Sequence, residues 1–579
     1  MVNIKINGVP CSAPEGSTIL EAARIAGIKI PTLCFLKDIN EIGACRICVV
    51  EVKGARSLVA ACVYPINEGM EVFTNTPKII ESRRTTLELI LSNHKRECLS
   101  CVRSGSCELQ ELCNEYNVVE DYYEGENPAI EIDDSAAHMT RDNSKCILCR
   151  RCVAACEKLQ GIGVIGANER GFAVQIASPF DMSLAETACV SCGQCITACP
   201  TGALKEKDDT AKILEAIADP DKMVVVQAAP AVRASLGEAF GYPIGTNVEG
   251  KMIAAMRRLG FDKVFDTNFS ADLTIMEESA EFIDRVQNGG VLPMITSCSP
   301  GWIRYCENYF PEFIPNLSSC KSPQQMFGAI VKTYYAQKLG KNPEDIFSVS
   351  IMPCTAKKYE ISRDDQSAAG VPDLDATITT RELARLIKQA GIMFNDLPDE
   401  VCDSPLGTGT GAAVIFGATG GVMEAALRTA VWKLTGKPDN TPVEFTDVRG
   451  VEGIKEATYN VAGMEVKVAV ASGLANAKAL LKKVKSGEAS YHFIEIMACP
   501  GGCVNGGGQI IQPSSVRSFT DIRAERAKVL YDIDNANTLR CSHENPDVKA
   551  VYDEFLGETG SHKAHEVLHT SYKAKKLYK

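Results

Sequence analysis

Cys499 and Cys503 stand four residues apart in the segment MACPGGCVNGGG, residues 497–508, with Pro500, Gly501 and Gly502 between them and Gly506, Gly507 and Gly508 just beyond. Thiolates are soft metal ligands, and glycine removes side-chain bulk and admits backbone angles closed to other residues. The pairing points to a main chain that closes tightly around a large inorganic group. Two more short motifs carry a cysteine each, Cys298 in TSCSPGW and Cys354 in MPCTAKKYE. The chain holds 25 cysteines, and its N-terminus, MVNIKINGV, lacks the apolar stretch of a secretory signal. Thiols in a reducing compartment favour metal or redox chemistry over disulfides. Seventeen of them fall in the first 199 residues and eight in the remaining 380, so a cysteine-dense front precedes a larger, different back.

The front cysteines come in groups with ligand spacing. Cys146, Cys149, Cys152 and Cys156 form one Cys-x2-Cys-x2-Cys-x3-Cys run, and Cys189, Cys192, Cys195 and Cys199 form a second, ending in Pro200. In this bacterial two-cluster ferredoxin pattern each run's fourth cysteine serves the other cluster. The pattern predicts one 4Fe-4S cubane on Cys146, Cys149, Cys152 and Cys199, and another on Cys189, Cys192, Cys195 and Cys156. Zinc competes for any Cys-x2-Cys pair, but two complete four-cysteine runs argue against it. Upstream, Cys34, Cys45, Cys48 and Cys62 flank and include a Cys-Arg-Ile-Cys pair, a layout that resembles a plant-type 2Fe-2S ferredoxin domain. His94 then precedes Cys98, Cys101 and Cys107 as His-x3-Cys-x2-Cys-x5-Cys. A lone histidine is ordinarily a surface or core residue. This one keeps a spacing that resembles the 4Fe-4S site with one histidine and three cysteine ligands shared by FeFe-hydrogenases and the large iron-sulfur subunit of respiratory complex I. Cys11 and Cys113 match no ligand position and read as packing. Four clusters in series form a wire, with potentials set by cluster type, hydrogen bonds to sulfur and exposure.

These ligands need elements to hold them. VNIKI alternates as a strand; Thr18 and Glu21 fit a capping box for a helix beginning near Ser17, with Ile19, Leu20, Ala23 and Ile25 on its apolar face. RICVVEV supplies the strand after the cysteine loop. From about residue 209, apolar runs at 223–232 and 291–297 alternate with helical stretches. One helix is bounded by a Thr379–Glu382 capping box and by Gly391, with Leu383, Leu386 and Ile387 as its apolar face. The expected fold class is multidomain α+β. A β-grasp 2Fe-2S domain covers 1–80, a small 4Fe-4S domain with one His and three Cys ligands 81–137, a two-4Fe-4S ferredoxin domain 138–208, and a large α/β domain 209–579. With 45% hydrophobic and 23% charged residues the composition is that of an ordinary globular protein, and a net charge of −12 argues against nucleic acid as partner. The basic tail at 573–579 reads as a solvated end. No apolar run approaches the roughly 18 residues of a membrane helix, so a cytoplasmic chain with no membrane partner is expected.

With the accessory pattern ahead of them, TSCSPGW, MPCTAKKYE and EIMACPGGCVNGGG closely resemble the three signature segments of the FeFe-hydrogenase catalytic domain, and the resemblance covers essentially the whole chain. It implies an H-cluster, a 4Fe-4S cubane joined through a cysteine sulfur to a two-iron centre carrying carbon monoxide, cyanide and a bridging azadithiolate. Carried over motif by motif, Cys354 and Cys499 resemble cubane ligands and Cys503 the ligand whose sulfur bridges to the two irons. Cys298 resembles the cysteine that passes protons, and Lys357 the lysine that hydrogen-bonds a cyanide. Pro230, Pro323, Gln324, Met352, Phe416 and Met497 match residues walling the cavity. Glu278, Ser318 and Glu281, with Arg285 near the mouth, match the proton relay; read alone, EESAEFIDR is only a charged helix face.

One position departs. The family segment reads TSCCPGW, with its second cysteine as the fourth cubane ligand, and Ser299 stands there instead. Three readings follow: serine oxygen ligates the cubane, Cys298 takes over that role, or assembly and potential are perturbed. Cys306, Cys320, Cys402 and Cys541 read as ordinary buried thiols. The glycine-rich stretch 407–421 follows DSPL rather than a strand, which argues against nucleotide binding. The resemblance therefore implies an oxidoreductase interconverting hydrogen with protons and electrons, in a hetero-oligomer of the NAD(P)-linked, often electron-bifurcating type. Flavin/NAD(P)-binding and Fe-S partner subunits, or a ferredoxin, would exchange its electrons. The competing classes are a non-catalytic electron-transfer subunit, which leaves Cys354, Lys357 and residues 497–508 unexplained, and a hydrogen sensor or an iron-sulfur assembly factor.

Overall fold

The computed structural model describes residues 1–118, 123, 131–436, 445–450, 453–461 and 463–577. Val2–Ile6 pairs antiparallel with Val9–Ala13 and parallel with Glu71–Phe73, and Val49–Val52 and Val59–Ala60 extend the sheet to five strands. Strand alternation turns Ile4, Ile6, Val50 and Val72 to one face, where they pack with Ile19, Leu20 and Ala23 of helix Ile19–Ile25. The capping box forms as expected: the Thr18 hydroxyl accepts from the Glu21 amide at 3.3 Å, and the Glu21 carboxylate accepts from the Thr18 amide at 2.9 Å. Helix Pro77–Leu91 leads out of this unit. Its buried Arg83 ties it back, donating to the Val49 carbonyl at 2.8 Å and the Tyr116 hydroxyl at 2.9 Å.

Farther on, Met139–Arg141 pairs antiparallel with Leu204–Glu206 around the short helices Arg151–Ala154 and Gln194–Ala198, which follow the cysteine loops. The back is built on two four-stranded sheets. One is wholly parallel, in the order Lys263–Asp266, Met223–Ala228, Ile346–Met352, Ala376–Thr379. The other runs Met294–Ile295, Phe493–Met497, Met464–Ser472 in parallel, with Ile454–Val461 antiparallel at the edge. Their inner strands are buried almost continuously, as parallel strands covered on both faces must be. The apolar runs overstate the strands: the first ends at Ala228 and the second contributes only Met294 and Ile295. Helix Thr380–Gln389 starts at the expected capping box, and Gly391, at φ +66°, lies just beyond its end.

Helix Thr267–Gln287 is not the charged helix face that the residues read alone describe. Phe269 and Leu273 enter one core cluster, and Ala271, Ile275 and Phe282 another. A helix buried on two sides has no free charged face, and Glu277 and Glu278 are each only 1% exposed. The basic tail is exposed over residues 573–577, as expected, and is pinned at Lys575, its ammonium 2.7 Å from the Glu307 carboxylate and its amide 2.8 Å from the Glu307 carbonyl. Two smaller readings change. Cys402 and Cys541 are half-buried, while Cys306 and Cys320 are fully buried as expected. No helix among the described residues is long and apolar enough to cross a membrane.

Candidate active site

Strands of both back sheets deliver the motif residues. Pro230 lies two residues past Met223–Ala228, Cys354 two past Ile346–Met352, Cys298 three past Met294–Ile295, and Cys499 two past Phe493–Met497. Ligands of open parallel sheets sit in the crevice beyond the carboxyl ends of the strands. Glycines draw the loops together there. A Cβ on Gly506 would lie 2.1 Å from the Pro353 carbonyl oxygen, and one on Gly507 2.2 Å from that of Cys192. Gly502, at φ +91°, would meet the Thr419 amide at 2.8 Å. The 499–508 loop is thus pressed against both the Cys354 loop and the ferredoxin loop at 192–193, an approach no larger residue permits.

The thiols at this junction lie in one another's fields. Burial pushes the Cys499 thiol up, with the charges of Cys354 and Cys503 adding to it, and burial pushes Cys503 up to about 12. Cys354 is raised by burial against the opposing pull of Lys357. Soft donors packed where a thiolate has so little to balance it suit a site completed by cationic iron, which displaces the thiol protons. Ser299, just before helix Pro300–Tyr309, accepts a 3.4 Å hydrogen bond from the Ala498 amide, so its hydroxyl stands next to the Cys499 loop.

Around them lies a polar network. Lys357 donates to the Ser322 hydroxyl at 2.7 Å, the Glu360 carboxylate at 2.9 Å and the Cys298 carbonyl at 3.2 Å. Gln324 donates to Glu360 at 3.0 Å and accepts from Ser350 at 2.8 Å. Pro323 opens helix Pro323–Ile330, and the Pro230 carbonyl accepts from the buried Arg233 at 3.1 Å. Met352, Phe416 and Met497 are buried. Sequence reasoning missed Glu360, Ser322 and Glu495. Glu495, fully buried in the strand FIEIM, accepts from the amides of Gly420 and Met423 at 2.7 Å each, and burial pushes its carboxyl up to about 7. A lone glutamate in an apolar strand was the available signal.

The four expected relay residues come together. Burial pushes Glu278 up to about 8, with the charge of Glu281 next and Ser318 and the Ser297 amide pulling down. Neither Glu278 oxygen has a hydrogen-bond partner within bonding distance among the described residues. Burial holds the Cys298 thiol far above its ordinary range, reinforced by the charge of Glu278. The Ser318 hydroxyl donates to Glu281 at 3.0 Å, and Arg285 pairs with Glu281 at 2.6 Å.

The accessory ligands are also grouped. Cys146, Cys149, Cys152 and Cys199 line one small cavity of about 20 Å³. Cys156, Cys189, Cys192 and Cys195, with Cys152, line another of about 30 Å³. The Cys48 and Cys62 sulfurs are 3.3 Å apart, and a hydrogen bond from the Cys45 thiol holds the Cys34 thiol below its ordinary range. Asn40 spans two groups, donating to the Cys34 carbonyl at 2.8 Å and the Cys149 carbonyl at 3.0 Å. His94 is half-buried, and its enclosed Nδ1 has no hydrogen-bond partner among the described residues, a ring nitrogen free to ligate. The Cys101 sulfur would lie 2.4 Å from a Cβ on Gly202, and the Cys107 thiol, raised by burial, also lies in the field of Cys101. Cys11 and Cys113 are buried as packing, the Cys11 thiol donating to the Ala22 carbonyl at 3.2 Å.

Comparison with known proteins agrees with this layout. The C-terminal domain of the iron only hydrogenase large subunit matches residues 222–507, and the iron hydrogenase small subunit 520–575. Ahead of them, a 2Fe-2S cluster binding domain matches 1–77, the NADH-ubiquinone oxidoreductase-G iron-sulfur binding region 83–121, and a 4Fe-4S dicluster domain 145–203. The chain is 50% identical to the NADP-reducing hydrogenase subunit HndD of Solidesulfovibrio fructosivorans, over 99% of each chain. It is 44% identical to iron hydrogenase 1 of Clostridium pasteurianum, over 99% of this chain and 100% of the other. An apo [FeFe]-hydrogenase HydA1 variant from Chlamydomonas reinhardtii superposes with a TM-score of 0.56 at 44% identity, covering 63% of this chain and 99% of its own. With cysteine motifs, strand ends and these likenesses in agreement, the chain belongs to the iron-only hydrogenase family, as an oxidoreductase catalytic subunit with 2Fe-2S, 4Fe-4S and H-cluster domains.

Proposed function

We propose that the chain couples reversible hydrogen oxidation to an NAD(P)-linked partner assembly, passing electrons along four accessory clusters and protons along Cys298, Glu278, Ser318 and Glu281. The observation that carries this reading is the junction at Gly507. Cys192 of the ferredoxin loop packs against the loop of Cys499, its carbonyl 4.0 Å from the Cys499 sulfur, and Gln194 donates to the Asn505 carbonyl at 2.9 Å. Thr355, next to Cys354, donates to the Ser191 carbonyl at 2.8 Å. An electron path through protein favours such direct contact between cluster-bearing loops.

Cys354, Cys499 and Cys503 would hold the H-cluster, with Ser299 beside Cys499 as candidate for the fourth corner. When bound, that group supplies the iron chemistry that makes or splits hydrogen. The chain's own residues manage protons, water and orientation. Cys298, kept protonated by burial, can give its proton inward and be refilled by Glu278, whose carboxyl near pH 8 can both take and give one. Ser318 can then relay between Glu278 and Glu281 by turning its hydroxyl. Arg285 marks the outer end, where Glu281 and Arg285 side chains are 15% and 14% exposed against 1% for Glu278. Lys357 already places all three ammonium protons, so donating to a cyanide of the bound group would release one contact, the longest being that to the Cys298 carbonyl at 3.2 Å. Pro230, Pro323, Gln324, Met352, Phe416 and Met497 are assigned to the wall that excludes water.

Domain limits of 1–80, 81–137, 138–208 and 209–579 are retained, the last uniting the large- and small-subunit segments. The similarity to HndD, an NADP-reducing hydrogenase subunit by name, supports a hetero-oligomer; in this reading flavin, nucleotide and Fe-S partner subunits, or a ferredoxin, exchange its electrons in an anaerobic cytoplasm. The test is anaerobic and direct. Matured chain alone should reduce its own accessory clusters under hydrogen, seen by electron paramagnetic resonance, yet fail to reduce NAD(P)+ without partners. Reduction of NAD(P)+ by the isolated chain would overturn the partner assignment.

A further inference from the structure

Beside the outer end of the proton route, Glu281, Cys320 and His569 each offer a ligand atom, and these atoms lie within 4.8 Å of one another. They come from helix Thr267–Gln287, from the segment after Ser319, and from the residue after helix His562–Leu568. Cys320 and His569 are held opposite each other by an antiparallel bridge. One carboxylate, one thiol and one imidazole are zinc's donor types, and three protein ligands leave a fourth position for water.

The surroundings are built for a ligating imidazole. His569 Nε2 lies 3.1 Å from the Glu277 carboxylate, which is itself fixed by the Tyr552 hydroxyl at 2.5 Å and the Gly560 amide at 3.0 Å. A carboxylate behind one ring nitrogen sets the tautomer and leaves the other nitrogen's lone pair forward, as second-shell carboxylates do in zinc sites. That nitrogen, Nδ1, faces the Ser319 hydroxyl at 2.8 Å, a contact a cation can displace. Glu281 accepts from Arg285 on Oε1 at 2.6 Å and, on Oε2, from the Ser318 hydroxyl and the Ser319 amide at 3.0 Å each, so a cation on Oε2 would take the place of the Ser318 hydroxyl. The fully buried Cys320 thiol points at Glu281, 3.8 Å away, in the combined field of Glu277, Glu278 and Glu281. The facing positive groups are Arg285 and Lys433, and the His565 ring, whose charging burial and His569 disfavour, lies tilted against His569 with ring centroids 4.0 Å apart.

We propose that Glu281, Cys320 and His569 form a site for a zinc-type divalent cation which, when filled, closes the proton route at its outer end. Binding exchanges the Cys320 thiol proton for a zinc–thiolate bond and releases that proton to solvent, with no change of oxidation state. Glu281, engaged by the metal, no longer accepts a proton from Ser318. The electron path is untouched. The blocking effect rests on the proposed role of Glu281, whereas the site itself does not.

The test uses anaerobic holoenzyme and chelator-buffered Zn2+ alone. Zinc-edge X-ray absorption should show one zinc with one sulfur at about 2.3 Å and lighter N/O ligands, at unchanged iron content. Hydrogen evolution should fall and return on chelation. His569→Gln, with normal uninhibited activity, should raise the half-inhibiting zinc concentration at least about ten-fold, and Glu277→Gln about 10- to 100-fold, as second-shell losses do. Cys320→Ala should remove the sulfur from the zinc shell. Zinc bound without sulfur, or inhibition unshifted in both His569→Gln and Cys320→Ala, overturns the site. Bound zinc with the expected shell but undiminished hydrogen evolution overturns only the blocking role, and a chain with no hydrogen chemistry before zinc is added overturns the relay reading while the absorption edge still decides the site.

Discussion

Glu278 is a fully buried carboxyl whose oxygens have no hydrogen-bond partner among the described residues, in the field of Glu281 and Glu495. Folding raises its pKa from the ordinary carboxylate range to about 8. The folded chain therefore holds a proton that the unfolded chain releases, so this residue's contribution to stability is lost as pH rises from about 4.3 through about 8. Glu278→Gln cannot lose that proton. Its thermal midpoint should gain on that of wild type between acidic buffer and about pH 9, while hydrogen evolution falls on the order of 10²-fold or more, the usual loss of a positioned acid-base group. A midpoint difference independent of pH would contradict the buried neutral carboxyl. Ser299 supports a second prediction at this scale. A thiolate holds iron more firmly than the harder, less ionised hydroxyl, so Ser299→Cys should slow chelator-driven loss of iron from the catalytic domain. Equal loss from both proteins would show that position 299 does not fill the cubane's fourth corner.

At the scale of elements, the loop 499–508 and the strand ends carry the arrangement. Gly507→Ala would drive a Cβ to 2.2 Å from the Cys192 carbonyl oxygen, and such overpacking typically costs about 1–3 kcal/mol. The expected outcome is a lowered thermal midpoint together with slower reduction of the accessory clusters under hydrogen. An unchanged reduction rate would separate this contact from the electron path. Cysteine spacing and both capping boxes were legible in the sequence because they are local: ligands two residues apart, or a threonine and glutamate three apart, need no knowledge of the rest of the fold. Glu495, Glu360 and Ser322 were not legible. Their roles arise where the local Lys357–Glu360 pair meets Ser322 and Gln324, or where Glu495 caps Gly420 and Met423, contacts between segments far apart in sequence. The burial of Glu277 and Glu278 was hidden for the same reason, since the helix pattern alone describes a charged face and only packing on two sides removes it.

At the scale of the whole molecule, a cluster-bearing front is docked on a hydrogenase core by the 189–199 loop, by Thr355 on Ser191 and by the half-buried Arg381–Glu206 pair at 2.8 Å. The algal relative aligns over 99% of its own length to only 63% of this chain, so a catalytic portion can exist without such a front. A fragment of residues 209–579, matured anaerobically, should exchange electrons with small dyes in hydrogen assays but lose electron delivery to partner subunits. Dye-linked activity that vanishes with the front would mean the accessory clusters are needed for the chemistry itself. The composition and cysteine order revealed this two-part plan, whereas the docking of the parts depends on glycines whose neighbours are some three hundred residues away.

The central claim is that Cys354, Cys499 and Cys503 hold an H-cluster whose protons pass through Cys298. Infrared spectroscopy of the anaerobically matured, iron-replete chain measures this most directly. The account predicts carbonyl and cyanide stretching bands that shift on exposure to hydrogen and are lost in Cys503→Ala. Absence of those bands from a chain with its full iron and sulfide content, or their persistence unchanged in Cys503→Ala, would contradict it.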